Sequence, residues 1–194
     1  MTLTAKAELT RDAILAAGEE LILAKGFTGV GLQEILSTCG VPKGSFYHYF
    51  ASKEGFGVAV LDRYVETYLE AVGALLERPG TAHERLTLLA EAWAGRVGSA
   101  SADRCLVVKL AAEVSDFSEP MRLSLAGGVG RLVDLLASVV AVGQAEGSVT
   151  SGRPARELAE SLYELWLGAA LLDRLARDGS PFDSALRTTA VLLD

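Results

Sequence analysis

The run GVPKGSFYHYFASKE, Gly40 to Glu54, is the stretch from which the rest of the chain can be read. Ahead of it, Leu32, Ile35 and Leu36 fall at i, i+3 and i+4, so the segment from Leu32 to Cys39 predicts a short helix with one apolar face. Gly40 can adopt the positive φ that ends such a helix, and Val41 offers an apolar plug for the core. Pro42 suits the start of a second helix, where no N–H is needed. Two short helices at a steep angle result. In the second, Phe46 turns back toward the core with Val41 and leaves Lys43, Gly44, Ser45, Tyr47 and His48 on the outer side. Such groups can grip phosphates and meet base edges in a major groove. Ser52 then predicts the cap of a further helix, with Lys53 in its first turn and Phe56 opening a new apolar row. A plain helical hairpin is the bland alternative. On that alternative Tyr47, Tyr49 and Phe50 are all ordinary core aromatics. On the DNA-binding reading Tyr49 and Phe50 are assigned to packing, and Lys43, Tyr47, His48 and Lys53 are the candidates for phosphate or base contacts.

Working outward, a first helix from Thr10 carries Ile14, Ala17, Leu21 and Ala24 at steps of three and four, with Leu15 and Ile22 on the adjoining row, and ends at Gly26. After Ser52, Phe56, Val60, Tyr64, Tyr68, Val72 and Leu76 recur every fourth residue until Pro79-Gly80, which predicts a long helix bridging two domains. Thr81 and Glu84 have capping-box spacing, followed by Leu86, Leu89, Ala90, Trp93 and Val97 before a soft GSASAD stretch. Further helices are expected from near Arg104 and from Glu119-Pro120. The latter bears Leu125, Val129, Leu132, Val133, Leu136 and Val140 up to Gly147. Pro154 opens a helix with Leu158, Leu162, Leu165, Ala169 and Leu172 on one face and Leu167, Leu171 and Leu175 on another, so it needs two partners. Asp183 is expected to cap a last helix carrying Leu186, Ala190 and Leu193. No strand pattern appears, and the fold class is all-α.

A chain of 194 residues, half of them hydrophobic, can bury a sizeable core in one domain or two unequal ones. Its net charge of −7 argues, at face value, against nucleic acid. Residues 1–53, however, hold five basic residues (Lys6, Arg11, Lys25, Lys43, Lys53) and five acidic ones, so the whole excess of acid lies beyond residue 53. Any grip on DNA has to come from a few well-placed groups, doubled in a dimer, because no basic cloud is available. Two isolated cysteines, Cys39 and Cys105, point to a reducing cytoplasm and not to a disulfide framework. The N-terminus lacks the apolar core of a signal peptide, and the apolar run from Leu165 to Leu172 is too short to span a bilayer.

Gly127, Gly128 and Gly130 lack both a preceding strand and a third glycine at Val133, which excludes a dinucleotide loop. His48 and His83 are the only histidines and no Cys/His cluster accompanies them, so no metal is expected. No cofactor is implied. No Ser-His-acid or paired-carboxylate arrangement stands out, which makes an enzyme the weaker reading. Trp93, Met121, Tyr163 and Trp166 are candidates to line a ligand pocket, against the alternative that they simply fill the core. Cys105 has Asp103 as a possible cap and Lys109 one turn along. A helix N-terminus and a nearby cation both favour the thiolate. A buried, inert cysteine is the alternative.

The segment from Thr10 to about Lys53 resembles the DNA-binding domain of TetR-family transcriptional regulators. The resemblance rests on Ile14, Gly26-Phe27, Ile35, Gly40-Val41, Lys43-Gly44, Phe46-Tyr47, Tyr49-Phe50 and Ser52-Lys53-Glu54. It departs from that pattern at Gly29 and Gly31, where a Ser or Thr cap is usual, and at Cys39, where a small Ala is common. The run RCLVVKLAAEVSD resembles a segment of family members related to the N-ethylmaleimide-responsive repressor, in which a cysteine here senses electrophiles. The resemblance implies a helix-turn-helix domain over residues 1–53 and a helical ligand-binding and dimerisation domain over 54–194, paired through the last long helices. It implies a cytoplasmic homodimeric repressor of a palindromic operator, released by a small molecule or an electrophile, with no membrane partner. The DNA-contacting set is then Thr28, Gln33, Lys43, Gly44, Ser45, Tyr47, His48 and Lys53, and the thiol-sensing pair is Cys105 and Lys109. The rival class is a helical carrier of lipid or another apolar molecule that does not bind an operator. An enzyme acting through Cys105 is a third.

Overall fold

The computed structural model describes residues 5–96, 102 and 105–194. Among them are α1 (Ala5–Lys25), α2 (Leu32–Cys39), α3 (Lys43–Tyr49), α4 (Lys53–Leu76), α5 (Ala82–Trp93), α6 (Leu106–Ser115), α7 (Glu119–Glu146), α8 (Ala155–Ala176) and α9 (Ser180–Leu193), and no strand. Val97, Asp103 and Arg104, to which the sequence assigned a core position, a cap and a helix start, lie outside the described residues.

The chain packs as two compact units, Met1–Glu66 with Lys109–Gly127, and Thr67–Val108 with Gly128–Asp194. A functional division after residue 53 and this packing division are different cuts. The first unit takes in the start of α4 because its aromatic core closes only on Phe56.

In the first unit, the buried stripe of α1 is Ile14, Leu15, Gly18 and Ile22; the expected row of Ala17, Leu21 and Ala24 is half-buried or exposed. Gly18 is the cause. A Cβ there would lie 2.2 Å from Cζ of Phe56, so the missing side chain opens the slot that the ring fills. Burying that ring stabilises the unit by about 1.5–3 kcal/mol. The turn chemistry follows the sequence. α2 ends on Gly40 at φ +66, the Val41 amide donates to the Leu36 carbonyl at 3.1 Å, and Pro42 precedes α3. Val41 itself is only half-buried. Ser52 Oγ accepts from the Gly55 amide at 2.9 Å and caps α4.

In the second unit, the Thr81–Glu84 capping box is formed in both directions at the start of α5. The core joins Val72, Leu86, Leu89, Trp93, Leu136, Leu162 and Trp166. The buried polar group Thr189 Oγ accepts from Trp166 Nε1 at 2.9 Å and donates to the Ala185 carbonyl at 2.8 Å, which ties α8 to α9. Three expectations fail here, one of them being Ala190, which is exposed while Ala185, Thr189 and Leu193 form the buried side of α9. Leu172 is exposed with Leu171 and Leu175 instead of joining the core face. Asp183 does not cap α9, which starts at Ser180 after Gly179 with a proline in its first turn; the Asp183 carboxylate pairs with Arg96. Helix α7, 28 residues long, is long and apolar enough to cross a bilayer by length and composition alone. Its Met121, Leu125, Leu132, Leu136 and Val140 are instead buried within the protein, as in a core helix.

Candidate functional site

Phe46 decides which way α3 faces. It is fully buried, with its ring 5.2 Å from Phe50, 5.4 Å from Phe56 and edge-on to Tyr47 at 5.5 Å. Anchored there, α3 turns Lys43, Gly44, Tyr47 and His48 outward, with Ser45 half-buried. Tyr47 keeps 53% of its surface exposed, high for an aromatic residue on a short helix. A Cβ at Gly44 would meet nothing within 4 Å, so nothing inside the protein requires glycine here. A glycine at that point leaves the backbone open to close approach from outside. Phe50 is buried with the Arg11 guanidinium 5.5 Å above its ring, and Tyr49 is half-buried, so both pack as expected. Gln33 is exposed on α2.

Thr28, which is exposed, and Lys53, which is half-buried, differ from that set in being bonded within the protein. The Thr28 amide and hydroxyl donate to Glu113 Oε1 at 2.7 and 2.6 Å, and the Phe27 amide donates to Glu113 Oε2 at 3.2 Å. The Lys53 ammonium donates to the Phe27 carbonyl at 2.9 Å and lies 4.6 Å over the Phe27 ring, which stacks on Phe117. Burial lowers the pKa of Lys53 below the usual lysine value, against the opposing pull of Glu113. For Glu113, burial pushes the carboxyl pKa up. The hydrogen bonds from Thr28 and Phe27, with Lys109 nearby, outweigh it and hold the pKa below the usual carboxylate value. Sequence reasoning missed Glu113, because its partners are 85 and 86 residues away.

Of the four pocket candidates, three come together. Trp93 meets Tyr163 edge-on at 5.8 Å and Trp166 at 6.4 Å, all three are buried, and Trp93 Nε1 donates to the Tyr68 hydroxyl. Met121 belongs to the other unit, where it and Phe27 fill the space left by Gly57. Beside Trp93 lies a 140 Å³ cavity rimmed by Arg96, Asp173 and Phe182. That is below the roughly 300–1,000 Å³ of a drug-sized ligand site.

Cys105 immediately precedes α6 and is 2% exposed, its amide bonded to the Ala102 carbonyl at 3.0 Å. Burial first, and then the charge Cys105 can carry, push the phenols of Tyr68 and Tyr163 up. Lys109 directs its ammonium to the Ala24 carbonyl at 3.3 Å. Cys39 is half-buried, with its thiol donating to the Ile35 carbonyl at 3.1 Å. Among the described residues no group of three or more His, Cys, Asp or Glu could hold a metal ion.

Two family models account for most of the chain. One, described as bacterial regulatory proteins of the tetR family, matches residues 14–60, and one described as a tetracyclin repressor-like C-terminal domain matches residues 82–189. The chain is similar to the HTH-type transcriptional repressor NemR of Escherichia coli K12, with 42% identity over 182 residues that cover 91% of this chain and 90% of that one. The transcriptional regulator AcuR of Cereibacter sphaeroides is 33% identical over 94% of this chain and 84% of its own. The crystal structure of reduced E. coli NemR superposes with a TM-score of 0.87 at 41% identity, covering 93% of this chain and 94% of that one. With matches at both its helix-turn-helix end and its C-terminal helices, this chain belongs to the TetR family of transcriptional regulators.

Proposed function

We propose that the protein is a cytoplasmic homodimeric repressor whose two α3 helices enter successive major grooves of a palindromic operator, about 34 Å apart. The observation that carries this is the exposed row Lys43, Gly44, Tyr47 and His48 on a helix locked by the buried Phe46. Binding of an effector to the C-terminal helices favours a dimer with the wrong spacing and so shifts the population away from DNA. Selecting bound genomic fragments, then measuring anisotropy over a range of salt, tests the reading. Weak affinity with no salt dependence would favour an apolar carrier instead.

Lys43, Tyr47 and Lys53 hold the phosphate backbone in this reading. One Lys53 proton goes to the Phe27 carbonyl, which leaves two for a phosphate. Lys53→Ala is therefore expected to lower affinity for all sequences alike. It should also flatten the slope of log affinity against log salt by about 0.9 for each phosphate no longer neutralised, or twice that in a dimer. An unchanged slope would take Lys53 out of the interface.

Cys105 is the thiol through which an electrophile acts. Because it is 2% exposed, its alkylation requires local opening and is expected to be slow, and an adduct that does form cannot be accommodated without displacing the start of α6. Prolonged exposure to maleimide followed by adduct mapping should label the more accessible Cys39 as well as Cys105, with operator release following the Cys105 adduct in wild type and absent in Cys105→Ser. Release that does not follow the Cys105 adduct, or that persists in Cys105→Ser, leaves a non-covalent ligand as the better account.

A further inference from the structure

We propose that Glu113 is a positioning residue for operator binding, which fixes the turn between α1 and α2 and, through that turn, the seat of α3. This rests on the DNA-binding reading above. Helix α2 has Gly31 at its N-cap and no side-chain cap hydrogen bond, so the usual local cap is missing, and the Lys25–Glu34 ion pair ties only the side chain of its first turn to the end of α1. Glu113 supplies a lock from α6. Its two carboxylate oxygens take the Phe27 amide, the Thr28 amide and the Thr28 hydroxyl, three donors from two consecutive residues. Gly26 makes the approach possible: at φ +80 it ends α1, and a Cβ there would come within 2.8 Å of Glu113 Oε2. The same turn is held from α4, where Lys53 binds the Phe27 carbonyl, so both backbone polar groups of Phe27 are taken by charged side chains of opposite sign. Phe117, four residues after Glu113, stacks on the Phe27 ring at 5.7 Å and closes the turn from a third side. Thr28 accordingly serves α3 through Glu113, its hydroxyl being turned to the carboxylate and not to a groove.

The test uses the full-length dimer and the operator fragment, with Glu113→Gln, Thr28→Val and the double variant. Glu113→Gln keeps the shape but sets an amide N–H₂ or a neutral oxygen against three donors. It is expected to lower operator affinity about tenfold, the low end of what one charge-assisted hydrogen bond contributes. The slope against salt should stay at the wild-type value, because the lysines that face the phosphates are unchanged. Thr28→Val is expected to cost about threefold, and the double variant no more than Glu113→Gln alone, since both delete one cluster. Hydrogen exchange should quicken at the Phe27 and Thr28 amides and stay unchanged in α8. That last pattern, together with non-additivity in affinity at constant salt slope, is something a general loss of stability does not produce. If Glu113→Gln does not fold, Thr28→Val decides alone, by lower affinity with local opening. Unchanged affinity in the variants, additive losses, or tighter binding by Glu113→Gln would overturn the proposal while leaving DNA binding intact. A wild-type protein that binds no operator would overturn both.

Discussion

Phe46→Ala is expected to abolish operator binding under conditions where the wild type saturates. The ring is fully buried between Phe50 and Phe56, and truncating a buried Phe costs about 3–5 kcal/mol in transfer energy and cavity formation. That is a large share of the roughly 5–15 kcal/mol that holds a domain together. Helix α3 has only seven residues, so it is too short to be stable without that anchor. Urea unfolding followed by hydrogen exchange should show the first unit melting early while α8 and α9 keep their protection. Tyr47→Ala provides the contrast, since it removes an exposed side chain and should weaken binding with a small change in stability. Equal losses of stability in the two variants would mean that α3 is not seated as described.

The second large effect is expected at the far end of the chain. Leu171, Leu172 and Leu175 on α8 and Val191 on α9 are 55%, 56%, 80% and 75% exposed, an apolar patch of the kind that marks an interface. In the homodimer proposed above this patch is the expected twofold contact, where a change at one position occurs twice and close to itself. Leu171→Glu should therefore give folded monomers by sedimentation. Affinity for the palindrome should fall by about two to four orders of magnitude, the loss that follows when two linked half-sites must be bound separately. A variant that remains dimeric would place the contact on another surface.

Gly40, Ser52 and the Thr81–Glu84 box could be read from the chain alone because each closes a contact within about four residues. A left-handed turn, a hydroxyl cap and a reciprocal cap all depend on local geometry. For the same reason the residues on the outside of α3 were legible: a seven-residue helix with one buried phenylalanine leaves few choices of face. The placement of α1 was not. Its apolar residues permit two stripes, and only the contact between Gly18 and Phe56, 38 positions apart, selects one. Asp183 looked like a cap until Arg96 was brought beside it, and Leu172 looked like core until α9 and α5 covered the other side of α8. Glu113 is the sharpest case. In sequence it is one acid on an amphipathic helix, and nothing in its spacing refers to Thr28. The fold brings an unmatched carboxylate to three unmatched donors across 85 residues, and partial burial makes their pairing favourable. By itself, then, the sequence determined the helices, their caps and the face of α3, all set by interactions a few residues long. Which stripes are buried, which leucines are left for a partner and what holds the α1–α2 turn were decided only by tertiary packing, because those free energies belong to pairs of groups that the chain keeps far apart.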